Sequence, residues 1–510
     1  MQTKKTMKML VLAMCALLMI AGCSQSKNNG NGQGSVAGSS ANTEAPASTE
    51  AAETEEAPVL DPVELSIYYP GNEQKDVALV EERLNELLKD KINATVKIQA
   101  TGWGDWAQKI NLMVSGGEPF DLMFTAGWDN FSGNVAKGAF RELNGLLDEY
   151  AAELKNSLDP IYLSAASVGD KIYGVPVQKE LAQQFGLVLN KNLVEKYGFD
   201  LSAVHAIKDI EPMLQTIKEN EPDVVPLWAN RNLNGLLPFE PVGNGQIPGA
   251  IYKNGDAKIV NQFEAPETIE LLNLMRDWKG KGYFQDDPAT QKDATPFTKS
   301  GRVFAQHQQL KPGKDVEFSL QQGQEYVQVE LTGTYTSNGD VNGALTAISR
   351  TSKNPERAMM LINLLYTDAE VLNTLVFGVE GVHYEKTGDR IKKPDGLAES
   401  GYTPGINWMF GNQFINYLWD NEDPQKWEQF KQFNKSATPS PLLGFSYDAE
   451  PVKNEEAAII NIYEQYIDAL FTGVGDPAVQ LPEFIDKMKK AGLDKVIAEK
   501  QKQVDAFLGN

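Results

Sequence analysis

The stretch Asp170–Gly198, DKIYGVPVQKELAQQFGLVLNKNLVEKYG, constrains the fold more than any other part of the chain. It opens on a short apolar run with Ile172, Val175 and Val177. Pro176 inside that run lacks a backbone donor and has a fixed φ, which favours extended chain over helix. A second run, Phe185–Leu189, leads to Asn190, placed as an N-cap ahead of Leu193, Val194 and Tyr197. Strand, crossover, strand and helix in this order describe a chain that leaves one sheet and starts another. The expected product is a cleft between two lobes.

The sequence before this point supplies a first lobe. VELSIYY, from Val63, reads as a strand, and Val77, Val80, Leu84, Leu87 and Leu88 then recur at helical spacing. ATVKIQA is a second strand, Asp105 is placed to cap a helix carrying Trp106, Ile110 and Met113, and Phe120–Phe124 is a third strand. Alternation of strands and helices predicts a parallel sheet covered on both faces, with ligands beyond the carboxyl ends of its strands. After the crossover come a helix around Ile207–Ile217, VVPLW ending at Trp228, a Gly- and Pro-rich loop over Gly235–Gly249, and the strand GRVFAQ at Gly301–Gln306. Tyr326–Leu331 alternates and is expected to carry a second crossover. In Val341–Tyr366 a strand ends near Ile348, Asn354 is placed to cap, Pro355 takes the first helical position, and Ala358, Leu361, Ile362 and Leu365 form one stripe.

The amino terminus reads as a leader. Lys4, Lys5 and Lys8 precede an apolar run, Met9–Ile20, too short for a comfortable membrane span. Ile20-Ala21-Gly22-Cys23 resembles a bacterial lipobox, in which small residues admit the peptidase and the Cys23 thiol carries diacylglycerol. Two acyl chains anchor stably where one is marginal. Cys15 falls in the removed leader and Cys23 is spent on lipid, so the exported domain is expected to hold no disulfide, Cys nucleophile or Cys metal ligand. Ser24–Leu60 is low in complexity and has no aromatic residue, so it is expected to be a disordered tether. The formal charge is −22, and loss of residues 1–22 makes it −25. Such acidity repels phosphate backbones, so nucleic acid is not an expected partner.

GVPV…GLVLNKNLVEKYG resembles the signature of family 1 extracellular solute-binding proteins, the binding subunits of ABC importers. Leu189-Asn190 stands where the family usually has an aromatic residue before Asn or Asp. Val341–Tyr366 is similar to the family's strand-to-helix unit that returns to the first lobe. INWMFGNQF at Ile406–Phe414, PLLGFSYDAEPV at Pro441–Val452 and Phe471–Gln503 resemble a lipoprotein branch that ends in a helical domain of unassigned function.

The resemblance, spanning about Val63 to Gln503, implies an α/β, two-lobed, periplasmic-binding-protein-like fold. Parallel sheets flanked by helices would face each other across the cleft, with extra helices at the C-terminus. The expected parse is leader 1–22, lipidated Cys and tether 23–60, first lobe 61–177 and 334–380, second lobe 178–333 and 381–440, and a helical extension 441–510. The implied role is a lipid-anchored solute-binding component on the extracytoplasmic face of a bacterial cell membrane. It would capture an oligosaccharide or other carbohydrate and deliver it to ABC permease subunits, without enzyme activity, cofactor or metal. ATP hydrolysis would belong to another chain.

Sugar rings present apolar C–H faces edged by hydroxyls, which suits aromatic platforms flanked by polar groups. Trp103 and Trp128 follow strand ends and are candidates either for ligand contact or for packing on the lobe surface. Trp106, Trp278, Trp419 and Trp427 are assigned to packing, and Asp121 to holding a loop. Lys179 and Glu180, just past the first crossover, are candidates for facing the ligand, with an exposed salt bridge as the alternative. Trp228 is a candidate platform on the second lobe, and Trp408, Asn412 and Gln413 are the candidates from the last part of the chain.

Two rival classes share parts of this pattern. A surface-anchored glycoside hydrolase needs two carboxylates across a cleft, and adjacent acids such as Asp286-Asp287 seldom face each other. His occurs at 205, 307 and 383, none at metal-ligand spacing, and no Gly-x-Ser-x-Gly elbow is present. A sensor subunit would share lobes and anchor, and is told apart by whether permease genes lie alongside.

Overall fold

The computed structural model describes residues 60–169, 171–397 and 399–509. The leader, Cys23 and the tether before Leu60 lie outside the described residues.

The first lobe is built on a five-stranded sheet in the order Ala94–Thr101, Val63–Pro70, Leu122–Thr125, Leu345–Ile348, Val175–Pro176. The first three strands run parallel. Leu122–Thr125 is buried at every position, as expected of a central strand covered on both faces. Leu345–Ile348 is antiparallel to both its neighbours, so the sheet is mixed rather than wholly parallel. That strand enters from the other lobe instead of through a local helix, so the right-handed parallel crossover does not apply to it.

The second lobe carries a four-stranded sheet, Tyr326–Glu330, Gln184–Asn190, Val303–Leu310, Val225–Trp228. Gln184–Asn190 is antiparallel to both neighbours, while Val303–Leu310 runs parallel to Val225–Trp228. The opening stretch therefore does leave one sheet and start another. Asn190 has extended backbone and accepts from the Leu193 N–H at 3.3 Å, capping the helix Lys191–Tyr197. Asp105 and Asn354 occupy N-cap positions without making a side-chain cap. Asp105 has helical backbone, which turns its carboxylate away from the first-turn donors. Asn354 precedes Pro355, which offers no N–H, and its own N–H donates to Ser352 Oγ at 3.2 Å.

Two large hydrophobic clusters mark the two lobes, and their membership departs from the expected parse. Tyr402, Ile406, Met409 and Phe410 belong to the first-lobe core, beside Leu65, Leu361 and Leu365. This part of the range 381–440 thus does not belong to the second lobe. The helices Lys453–Phe471, Pro477–Lys490 and Leu493–Leu508 bury Ile459, Phe484 and Val496 against Leu272, Met275 and Trp278 of the helix Pro266–Lys281. They complete the second lobe's core rather than extend from it.

Three segments join the lobes. Gln183 and Tyr335 exchange backbone hydrogen bonds at 2.7 and 2.9 Å. On the other edge of Tyr335-Thr336, Thr438 N–H donates to Thr334 O at 3.0 Å and Ser440 N–H to Thr336 O at 2.8 Å. A side-by-side set of short extended segments bends together, which suits hinge closure about one line.

Candidate functional site

A cavity of about 500 Å³ lies between the lobes. Gly127, Phe131 and Asn342 line it from the first lobe, and Phe185, Glu240 and Lys253 from the second. Its floor is the hinge itself. Buried Glu240 accepts from Tyr335 Oη at 2.7 Å and from Ser440 Oγ at 2.6 Å, tying the second lobe to two of the three hinge segments. Asp340 accepts from Ser337 N at 2.8 Å, Ser337 Oγ at 2.7 Å and Gln183 Nε2 at 3.0 Å. Burial pushes both carboxyls above the ordinary carboxylate range. The Lys253 ammonium lies over the rings of Phe185 and Tyr335, 5.3 and 5.5 Å from their centres, and burial pushes it down against the pull of Asp340 and Glu240. His307 stacks on Phe185 at 5.5 Å, and desolvation lowers it to about 4, so it is neutral at pH 7.

Beside this cavity three indoles gather, Trp103 and Trp128 just past first-lobe strand ends and Trp408 from the irregular segment that precedes Gln413. Trp103 stacks on Trp128 at 6.2 Å and on Trp408 at 6.4 Å. Phe124 presents a ring edge contact to Trp408 at 5.5 Å. Trp128 Nε1 donates to Gly343 O at 2.8 Å, which fixes its plane. Trp103 and Trp128 are nevertheless 52% and 57% exposed. Rings held in place but open to solvent form a preorganised apolar platform. The ridge adjoins the cavity through the chain, since Gly127 precedes Trp128 and Asn342 precedes Gly343.

The structure thus gathers Trp103, Trp128 and Trp408 and places the other candidates elsewhere. Trp228 is fully buried against Phe297, Ala294 and Val303, so it is a core residue and not a platform. Lys179 and Glu180 do not line the cavity. Glu180 pairs with Lys311 at 3.2 Å and Lys179 at 3.6 Å; burial opposes its charge, but the two lysines hold its carboxyl below the usual range. Asn412 caps its own turn through Phe414 N at 3.0 Å, and Gln413 N–H donates to Gln178 O at 2.8 Å. Asn412 and Gln413 therefore fasten the chain to the root of the hinge and do not line the cavity. Asp121 does hold a loop, accepting from Ser66 N at 3.0 Å and from Ser352 Oγ at 2.5 Å.

Sequence reading missed Glu240, Lys253, Asn342 and the aromatic segment Phe445–Tyr447. The Gly- and Pro-rich loop before Gly249 was the available signal, because such loops at a lobe edge often form binding surfaces. Among the described residues no group of three or more His, Cys, Asp or Glu is arranged to hold a metal ion. The arrangement offers aromatic faces, amides and a few buried charges, which is the equipment of a site that binds.

Comparisons with known proteins agree with this geometry. Residues 72–371 match the family model "Bacterial extracellular solute-binding protein", and residues 441–509 match a domain of unknown function, DUF3502. The chain is 34% identical over 471 residues to a carbohydrate ABC transporter substrate-binding protein of Streptococcus pneumoniae, covering 91% of this chain and 94% of that one. The crystal structure of an N-glycan transport solute-binding protein, NgtS, from S. pneumoniae is 33% identical, with a TM-score of 0.80, over 88% of this chain and all of that one. Its complex with Man5GlcNAc is matched at 32% identity and a TM-score of 0.67, over 88% of this chain and 99% of the other.

Proposed function

The chain belongs to the bacterial extracellular solute-binding proteins, and from that premise we propose that it captures an oligosaccharide between its lobes and hands it to an ABC permease. The relatives named above are substrate-binding proteins of transporters, not enzymes, and the family acts outside the cytoplasmic membrane. One observation carries the oligosaccharide reading: a ridge of three ordered indoles runs beside an interlobe cavity lined by both aromatic rings and polar side chains. Sugar rings stack on the ridge by their C–H faces, while the cavity amides and charges meet their hydroxyls. Ligand that touches both lobes favours the closed arrangement, because only there are both sets of contacts made.

Calorimetric titration of the full chain with Man5GlcNAc, free mannose and a tripeptide tests the reading. The glycan is expected to bind one to one and be recovered intact, stabilising the fold by about 2.7 kcal/mol at a hundredfold excess over Kd. Absence of binding to the glycan, binding of the tripeptide in its place, or time-dependent cleavage would overturn it; cleavage would point to the carbohydrate-active enzyme.

The anchor belongs to the same reading. Cys23 is the proposed lipidation site, and Cys23→Ala is expected to move the protein from the membrane fraction to the medium or to an unprocessed precursor. A processed Cys23→Ala protein that stays fully on the membrane would remove the lipid anchor.

A further inference from the structure

The C-terminal domain of unknown function begins at residue 441, and its first turns stand in the cleft. We propose that this segment supplies the second-lobe wall that reads the bound glycan, with Tyr447 as its contact face and Lys500 as the residue that positions it. The proposal rests on the oligosaccharide reading given above.

Phe445, Ser446 and Tyr447 line the interlobe cavity together with Gly243 and Gly245 of the loop that precedes Gly249. Asn338, beside the hinge, pins this segment. Its Nδ2 donates to Leu442 O at 2.5 Å and Phe445 O at 3.1 Å, and its Oδ1 accepts from Gly444 N at 2.8 Å. Tyr447 Oη donates to Glu456 at 3.0 Å. A Cβ at Gly243 would lie 2.6 Å from the Tyr447 ring, and its φ of +75° favours glycine, so loop and ring are fitted to each other.

Lys500, on the last helix, joins the two parts of this wall. It is wholly buried, and its ammonium donates to Ile247 O at 3.1 Å, Pro248 O at 3.1 Å and Gly249 O at 3.4 Å. The same ammonium lies 5.6 Å from the centre of the Tyr447 ring. Among the described residues no carboxylate pairs with it, and Glu456 acts on it only at longer range. A buried charge without an ion pair costs stability that a methionine of similar length would not cost. What the ammonium adds is geometry: three carbonyls of the loop turned inward and the tyrosine face held at a fixed distance. The Tyr447 ring and, further along the same loop, Gly243 and Gly245 are the parts of this wall that line the cavity.

The experiment is titration of the full-length protein and its Lys500→Met, Tyr447→Ala and Tyr447→Phe variants with Man5GlcNAc, from about pH 7 to about pH 9.5. Lys500→Met and Tyr447→Ala are each expected to weaken binding about tenfold, whereas Tyr447→Phe, which keeps the ring, stays within about twofold. Burial lowers Lys500 to about 8. Glu456 and Tyr447 are the titratable groups that face it, and burial pushes both upward. Wild-type affinity is therefore expected to fall through the upper part of this range, and that of Lys500→Met to stay level.

Stability should run the other way. Unfolded lysine keeps its proton to about 10.4, so between the two values the unfolded chain binds more protons and wild-type stability rises with pH relative to Lys500→Met. Affinity that falls while stability rises is not a general loosening of the fold.

Wild-type binding with unchanged affinity in both Lys500→Met and Tyr447→Ala overturns the proposal alone. No wild-type binding overturns the oligosaccharide reading beneath it. A pH dependence that survives in Lys500→Met belongs to Lys253, in the same cavity, and overturns the positioning role. Should Lys500→Met fail to fold, Tyr447→Ala against Tyr447→Phe decides.

Discussion

Trp228→Ala is expected to lower the stability of the unliganded protein by about 3–5 kcal/mol and to leave the glycan affinity of the folded fraction unchanged. The ring has no exposed surface and lies 5.2 Å from Phe297, under Ala294 and Val303, on the strand Val225–Trp228 at the edge of its sheet. Its removal leaves a cavity between that strand and the short helix Thr295–Lys299, where flanking backbone limits collapse. The indole N–H has no acceptor among the described residues, so truncation also relieves the cost of an unpaired buried donor, about 1–3 kcal/mol, which works against the packing loss. Trp228→Phe separates the two contributions. It keeps most of the ring and drops the donor, and is expected to cost less than about 1.5 kcal/mol. Chemical denaturation of both variants, read beside their affinities, checks this; a Trp228→Ala protein of normal stability and weakened affinity would restore the platform role.

The strand-end position of Trp228 shows where sequence reading stops. Following an apolar run, it has the same local setting as Trp103 and Trp128. What separates them is whether a later segment folds over the strand end. Trp228 is covered by Phe297 and Val303, some seventy residues on, whereas the ends near Trp103 and Trp128 stay open. Period and turn chemistry are local, and a cover of this kind is not.

The same limit explains the boundaries. Tyr402–Phe410 has the composition of any core segment, and only its contacts with the Leu361–Leu365 stripe assign it to the first lobe. Conversely, the crossover at Val175–Gln184 was legible because Pro176, the two apolar runs and the Asn190 cap are all local. The N-caps divide along the same line. Asn190 caps because its backbone is extended, while Asp105, the right residue type in the right place, sits in a helical conformation set by the turn before it. The cleft charges left no local trace either. Glu240, Lys253 and Asp340 are brought together by the hinge, and each alone reads as a surface residue.

Trp103→Ala and Trp128→Ala are each expected to cost about 2 kcal/mol of binding free energy for Man5GlcNAc, a factor of about thirty in Kd. Each residue is more than half exposed, so the unliganded protein should lose only what a ring–ring contact contributes, about 0.5–1.5 kcal/mol. Trp408 differs, being packed against Phe124 and the first-lobe core, so its truncation is expected to lower stability as well as affinity. Trp103 stacks on both other indoles, and its loss also unsettles them. The Trp103→Ala, Trp128→Ala double variant is therefore expected to lose less affinity than the two singles combined, with a coupling of about 0.5 kcal/mol or more. Full additivity would mean that the rings act as separate contacts. Affinity within about twofold of wild type in both singles and the double would take the ridge out of the binding site and leave the cavity alone to hold the ligand.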